Sequence, residues 1–181
     1  MVENEERTLS APTDPKLVAE IDRQMAAIER GAVQVISTEE MRKKLEKSLT
    51  TGVPLRVKLG VDPTAHDLHL GFTLPLSKLQ TFLELGHQPV LIIGDATAMV
   101  GDPTGRNKAR PQLDQATVED YAKSYLDQAK SVLEVDRCEV RWNGEWLNEL
   151  GFRPKSLLMG FFSASGMGWV GTAGWARAAA G

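Results

Sequence analysis

Hydrophobic residues in the first part of the chain recur at the spacing of amphipathic helices. The first apolar stripe consists of Leu17, Ile21, Met25 and Ile28. It follows Asp14 and Pro15, a helix-capping residue and a first-turn proline. A second stripe of Met41, Leu45 and Leu49 follows a capping-box sequence at residues 37–40. We therefore predict two helices within residues 14–54, with their apolar faces packed in a core or against a partner.

The pattern changes at residue 55, where strands begin to alternate with helices. Apolar and basic residues alternate over residues 55–59, and the sequence GVDPT at residues 60–64 ends this strand. Helical spacing returns over residues 69–85, which requires Pro75 to lie in the first turn. An all-apolar strand at residues 90–93 follows and ends at Gly94. This order predicts a βαβ unit with parallel strands.

The remaining elements continue the alternation. Residues 94–105 are rich in glycine and threonine and predict a loop, and residues 117–120 predict the capped start of another helix. Residues 138–142 alternate as a short strand, followed by a helical turn near residues 145–150. We therefore expect an α/β fold with a parallel sheet over residues 55–152.

Composition adds three limits to this picture. No run of about 18 apolar residues is present and the first residues are acidic, which argues against membrane and secreted classes. The single cysteine cannot form an internal disulfide, so we expect a reducing, cytoplasmic compartment. The net charge of −3 argues against this piece binding nucleic acid by itself.

The two ends of the chain differ from its middle. Residues 1–13 are polar and without periodicity, which predicts a flexible arm. Residues 153–181 contain three basic residues, no acidic residue, six glycines and six alanines. We expect residues up to about 152 to be the authentic sequence, and residues 153–181 to come from a shifted reading frame or a truncated gene.

Two loops carry the candidate chemistry. In open α/β sheets, ligands bind beyond the carboxyl ends of the strands. The loop at residues 60–72 follows the first strand and contains Asp62, Thr64, His66, Asp67 and His69. The loop at residues 94–110 follows the second strand and contains Asp95, Thr97, Asp102, Thr104, Arg106, Lys108 and Arg110. A helix N-terminus, a histidine and a basic segment together favour phosphate, so we expect both loops to face one nucleotide-binding crevice.

Other interpretations of the same residues stay open. The chain lacks the standard P-loop, and its first loop lacks the dinucleotide-binding glycine pattern. No Cys/His spacing suggests zinc, and Cys138 fits a small core residue. Taken singly, residues 62–64 and 102–103 are ordinary turn sequences. Likewise, His66 and His69 could be loop histidines, and residues 106–110 a solvated patch.

Taken together, the two loops resemble the catalytic domain of bacterial tyrosyl-tRNA synthetases, a family of class I aminoacyl-tRNA synthetases. The likeness rests on GVDPTAHDLHLGF at residues 60–72 and GDATAMVGDPTG at residues 94–105. His69-Leu70-Gly71-Phe72 is similar to the HIGH signature of the family. Tryptophanyl enzymes are the nearest relatives, but they usually lack the Asp-Pro-Thr and Gly-Asp-Pro sequences. The resemblance implies a Rossmann-like catalytic fold, here incomplete and preceded by the two helices.

The resemblance also implies substrates and residue roles. The family joins L-tyrosine to ATP, used with Mg²⁺, and transfers the tyrosyl group to tRNA-Tyr; its full-length enzymes are expected to be homodimers. The catalytic group implied comprises Thr64 and His69 on the β- and γ-phosphates, with Arg106 and Arg110 on the departing pyrophosphate. The ATP side would further include Gly60, Asp62, Pro63, Gly71 and Phe72. The amino-acid side would include Asp102, which would bind the ammonium group, together with Thr97 and Lys58.

This chain departs from the family in three ways. Phe72 replaces the second histidine of the signature, which lowers the expected nucleotide affinity. Lys58 replaces a tyrosine that touches the substrate phenol in many relatives. The KMSKS loop and the tRNA-reading domains are absent from these 181 residues. The sequence therefore leaves three hypotheses: a tyrosine–tRNA ligase fragment without full activity, a non-catalytic nucleotide-binding or dimerising fragment, and an unstable fragment without a role.

Overall fold

The computed structural model describes residues 14–100 and 113–149. The contacts divide the chain into two compact units, Met1–Leu55 and Arg56–Gly181. The predicted arm at residues 1–13 and the predicted atypical tail at residues 153–181 lie outside the described residues.

The first unit contains two helices that pack against each other, α1 (Pro15–Glu29) and α2 (Thr38–Thr51). The Asp14 carboxylate accepts a hydrogen bond from the Lys16 amide at 2.9 Å, and Ser37 Oγ accepts from the Glu40 amide at 3.1 Å. α2 ends at Gly52, whose φ of 69° is left-handed and suits glycine. The predicted caps are confirmed because a cap depends on residues only two or three positions apart. The buried apolar side chains of the unit are Ile21, Met25, Ile28 and Leu45.

The second unit is built on a parallel sheet of three strands in the order β1-β2-β3. These strands are Arg56–Val61, Gln88–Ile93 and Glu139–Trp142. β2 begins two residues before the predicted start, because Gln88 already pairs with Arg56. Pro89 is tolerated there because it lies near the strand start, where only β1 pairs with it, and pairing with β3 begins at Val90. The expected α/β fold with a parallel sheet is confirmed.

Four helices accompany the sheet: α3 (Thr73–Glu84), α4 (Asp95–Val100), α5 (Gln115–Ala129) and α6 (Gly144–Leu147). Short 3₁₀ turns span Leu70–Phe72 and Val135–Arg137. Pro75 is the third residue of α3, as the missing proline N–H requires. The apolar core of the unit joins strand residues such as Leu91 and Ile93 to α3 and α5 through Leu79, Ala122 and Tyr125.

Three details of the predicted elements are wrong. The helix predicted over residues 69–85 begins at Thr73, because the preceding residues form the 3₁₀ turn over Leu70–Phe72. Residues 95–100 form a helix rather than part of a loop. The fifth helix is capped by Asp114 rather than from Thr117, because the Asp114 carboxylate accepts from the Thr117 amide at 2.8 Å. That bond also lowers the pKa of Asp114. Within the described residues, no helix is long and apolar enough to span a bilayer.

Candidate functional site

Two predicted site residues meet where the first two strands end. Asp62 directly follows β1, and Thr97 lies in α4, which follows β2. Asp62 Oδ1 accepts a hydrogen bond from Thr97 Oγ1 at 2.7 Å. The two backbones are joined beneath them, since the Gly94 amide donates to the Val61 carbonyl at 2.8 Å. The loops after β1 and β2 therefore lie at one sheet edge, as the parallel order predicts.

A third strand end contributes Asn143, a residue that was not among the predicted site residues. Asn143 follows β3 and is 8% exposed. Its Oδ1 accepts from the Ala96 amide at 3.0 Å, and its Nδ2 donates to Thr97 Oγ1 at 2.9 Å. In return, the Asp95 carboxylate accepts from the Gly144 amide at 2.7 Å. The Asn-Gly pair at the end of a third parallel strand was the available signal for this contribution.

His69 sits at the start of the 3₁₀ turn and acts as its cap. Its Nδ1 accepts a hydrogen bond from the Gly71 amide at 3.1 Å. A neutral imidazole that accepts at Nδ1 carries its proton on Nε2. The exposed ring therefore has an N–H donor directed away from the turn, which is suitable for a phosphate oxygen.

Gly71 and Phe72 shape the surroundings of that ring. A Cβ at position 71 would lie 2.9 Å from His69 Nδ1 and Cε1, so a larger residue would displace the imidazole. The ring of Phe72 lies 4.6 Å from that of His69 and 6.1 Å from that of Tyr125, measured between centroids. Phe72 thus ties the signature turn to the core through apolar contact, although it has no group that can hydrogen-bond a nucleotide.

Gln128 of α5 fixes the loop that leads to His69. Its Oε1 accepts from the Leu68 amide at 2.9 Å, and its Nε2 donates to the His66 carbonyl at 3.2 Å. An open groove of about 300 Å³ lies beside this loop. It is lined in part by His69, Leu70, Phe72, Thr73 and Gln128. No local pattern marks Gln128, which lies about sixty positions from the loop that it holds.

The other predicted site residues are spread over the first strand and the segment after it. Lys58 is half-buried in β1, and burial lowers the pKa of its ammonium group. Gly60 has open space where a Cβ would stand. Pro63 is buried, and the Thr64 amide donates to the Asp62 carbonyl at 2.9 Å. The remaining predicted residues, Asp102, Arg106 and Arg110, lie outside the described residues.

The part of the chain that the structure describes has no cluster suited to a metal ion, since no three His, Cys, Asp or Glu side chains there are grouped to hold one. Cys138, which sequence analysis interprets as a core residue, is half-buried beside the apolar core. Burial raises the pKa of its thiol, which disfavours the reactive thiolate.

A known protein family matches the part of the chain that contains the three strand ends. Residues 50–166, well over half of the chain, match the family described as tRNA synthetases class I (W and Y). The chain belongs to this class I synthetase family. The match includes β1, the signature turn and the Asp62–Thr97–Asn143 contacts.

The members of this family that this chain is similar to include tyrosine–tRNA ligases and tyrosyl-tRNA synthetases. A tyrosine–tRNA ligase of Symbiobacterium thermophilum is 59% identical over 73% of this chain and 32% of its own length. The crystal structure of a tyrosyl-tRNA synthetase complexed with L-tyrosine from Archaeoglobus fulgidus covers 78% of this chain, at 23% identity and a TM-score of 0.54. A tyrosyl-tRNA synthetase from Aeropyrum pernix has a TM-score of 0.55 at 19% identity, covering 72% of this chain and 36% of its own. These two structures share the fold, and the chain spans about a third of the length of the curated relatives that it matches.

Proposed function

We propose that this chain carries the ATP-binding part of a tyrosine–tRNA ligase. The observation that carries the proposal is the geometry of His69. Its Nδ1 is occupied by the Gly71 amide, so its Nε2–H is available to a phosphate at the signature turn. The 59% identity to a curated tyrosine–tRNA ligase supports tyrosine as the amino acid.

The proposed reaction has two steps. An oxygen of the tyrosine carboxylate attacks the α-phosphorus of ATP, and the bond to the bridging oxygen of the β-phosphate breaks, releasing pyrophosphate. A ribose hydroxyl of tRNA-Tyr then attacks the activated carbonyl and AMP departs. The first step depends chiefly on alignment and on neutralising the charge of the pyrophosphate, because a carboxylate is already a nucleophile.

The proposed residue roles are those that the family resemblance implies. Thr64 and His69 contact the β- and γ-phosphates, and Gly60 and Gly71 admit the nucleotide close to the backbone. Asp62, Pro63 and Phe72 form the rest of the nucleotide side. Arg106 and Arg110 neutralise the pyrophosphate, while Asp102, Thr97 and Lys58 face the amino acid.

The proposal extends to the partners of the reaction. ATP enters as its Mg²⁺ complex, with the ion held mainly by the substrate phosphates, as is usual for this cation. L-tyrosine and tRNA-Tyr are the other substrates, and the complete ligase is proposed to act as a homodimer. We propose the cytoplasm as the location of the protein.

Titration calorimetry of the chain with ATP tests the proposal. We expect saturable binding that weakens by about tenfold or more in H69A, since one hydrogen bond to a charged phosphate is lost. H69N should weaken binding similarly: asparagine can still accept from the Gly71 amide as a cap, but it lacks the ring donor. H66A is the matched control, because His66 is an exposed histidine three positions away that pairs with Asp67.

Two outcomes would contradict the proposal: absence of ATP binding by the parent chain, or an equal loss in H66A and H69A. Tyrosine-dependent exchange of pyrophosphate into ATP should be measured on the same samples. Exchange identifies a catalytic chain, whereas ATP binding without exchange identifies the non-catalytic nucleotide-binding fragment.

A further inference from the structure

A chain of hydrogen bonds connects the ends of all three strands. It begins at the Ala96 amide of α4, passes through the side chain of Asn143 and the hydroxyl of Thr97, and ends at Asp62. The three donor–acceptor distances are 3.0, 2.9 and 2.7 Å in that order. We refer to these linked bonds as the strand-end relay.

The groups at the two ends of the relay determine which atom donates and which accepts in each of its hydrogen bonds. The Ala96 amide can only donate, so the atom of Asn143 that faces it must be Oδ1 and the atom that faces Thr97 must be Nδ2. A carboxylate can only accept, so the Thr97 hydroxyl hydrogen points to Asp62 Oδ1. The alternative acceptor for that hydrogen, the Gly94 carbonyl, is farther away at 3.2 Å.

Asn143 has two separable tasks in this arrangement. Its oxygen caps the start of α4, which is a structural task. Its Nδ2–H occupies one lone pair of the Thr97 oxygen and so directs the single hydroxyl hydrogen toward Asp62. An aspartate at position 143 would keep the first task, since a carboxylate also accepts from Ala96. It would compete with Asp62 for the Thr97 hydrogen and so abolish the second.

We propose that Asn143 is a positioning residue that orients the Asp62 carboxylate at the ligand-binding edge of the sheet through the Thr97 hydroxyl. This role rests on the proposed function, in which Asp62 belongs to the nucleotide side. Burial supports the assignment: Asn143 is 8% exposed and hydrogen-bonded through both its oxygen and its nitrogen, which makes it a suitable support for the exposed Asp62.

Carbon NMR of the Asp62 side chain tests the positioning role. The carboxyl carbon signal of Asp62 should move in T97V, which removes the hydroxyl, and move similarly in N143D. T97S keeps the hydroxyl and should restore the parent signal. N148D is the matched control, because it makes the same change of charge in the same segment at an exposed position.

A purely structural Asn143 predicts a different result. If Asn143 only caps α4, N143D leaves the Asp62 signal unchanged, and that result would overturn the inference. Should N143D fail to fold, T97V is compared with T97S, which tests whether the Thr97 hydroxyl orients Asp62. Equal Asp62 signals in these two variants would show that it does not, and would overturn the inference.

ATP titration adds the functional measurement. N143D should weaken ATP binding by about tenfold, the effect of misplacing one charged group, and N148D by less than about twofold. A shifted Asp62 signal in N143D with unchanged ATP affinity would overturn the role in binding. A parent chain that binds no ATP contradicts the proposed function instead, and the Asp62 carbon signal then decides the positioning role on its own.

Discussion

The Cα of Gly94 lies beneath the carboxylate of Asp62, so close that a Cβ at position 94 would stand 1.8 Å from Asp62 Oδ1. The same Cβ would lie 2.5 Å from Thr97 Oγ1. The last residue before α4 must therefore be glycine for reasons of space. The loop after β1 and the start of α4 can meet only because this side chain is missing.

Replacing Gly94 by alanine should separate Asp62 from Thr97. We expect G94A to lower the free energy of unfolding by about 1–3 kcal/mol, the usual cost of forcing extra atoms into a packed site. Urea denaturation provides the measurement. G60A is the matched control, because a Cβ at Gly60 meets no atom within 4 Å and should cost far less. Equal destabilisation by the two variants would contradict the steric argument.

Replacing Phe72 by histidine should strengthen ATP binding at some cost in stability. F72H regains the hydrogen-bonding ring expected at the end of the family signature, so we expect roughly three- to tenfold tighter ATP binding by calorimetry. F72L serves as the control, since it loses the aromatic contacts with His69 and Tyr125 without gaining a polar group. If F72H binds ATP no better than F72L, Phe72 is not at the nucleotide.

Removing the Gln128 side chain should loosen the loop before His69. Q128A leaves the Leu68 amide without its acceptor, so we expect hydrogen exchange at Leu68 to accelerate and the free energy of unfolding to fall by about 1 kcal/mol. Q80A is a useful comparison, because Gln80 similarly accepts from a backbone amide, that of Glu134, away from this loop. Acceleration at Leu68 in both variants would argue against a local effect of Gln128.

The stability of the fold should depend on pH through His87. His87 is 5% exposed, and burial lowers its pKa below the ordinary 6.5. The unfolded chain therefore takes up a proton at this residue more readily than the folded chain. The free energy of unfolding should thus fall as the pH drops through 6.5 toward the lower folded pKa. Denaturation midpoints at about pH 7.5 and about pH 5.5 should differ less in H87Q than in the parent; an unchanged difference would be evidence against His87.

The elements that could be predicted from the sequence are those set by near neighbours. The caps Asp14 and Ser37 and the position of Pro75 each depend on residues within one helical turn. β2 could be predicted because a strand buried on both faces is largely apolar, and β1 and β3 could be predicted because their apolar and polar residues alternate. α4 could not, because six residues are too few to show a helical period, and the acceptor for the Ala96 amide comes from Asn143, 47 positions away.

The residues of the candidate site also fall into those set by near neighbours and those set by distant segments. The signature segment can be identified in the sequence because His69, Gly71 and Phe72 are close neighbours, but its 3₁₀ turn over Leu70–Phe72 is not predicted by the helical spacing. The participation of Gln128 could not be predicted, since nothing in its own surroundings marks it, and the Asn143-Gly144 pair signals only that the third strand ends there. Each acquires its task only when the sheet order brings separate segments together.

Pro89 also limits how far the sheet can extend. Lacking an N–H, it cannot donate a ladder hydrogen bond to β3, whose pairing with β2 begins at Val90. A shift of β3 toward the start of β2 would place a residue opposite this missing donor, and the end of β3 would move away from α4. Pro89 therefore protects the alignment of β3, and the depth at which Asn143 enters the strand-end relay depends on a residue at the opposite end of the sheet.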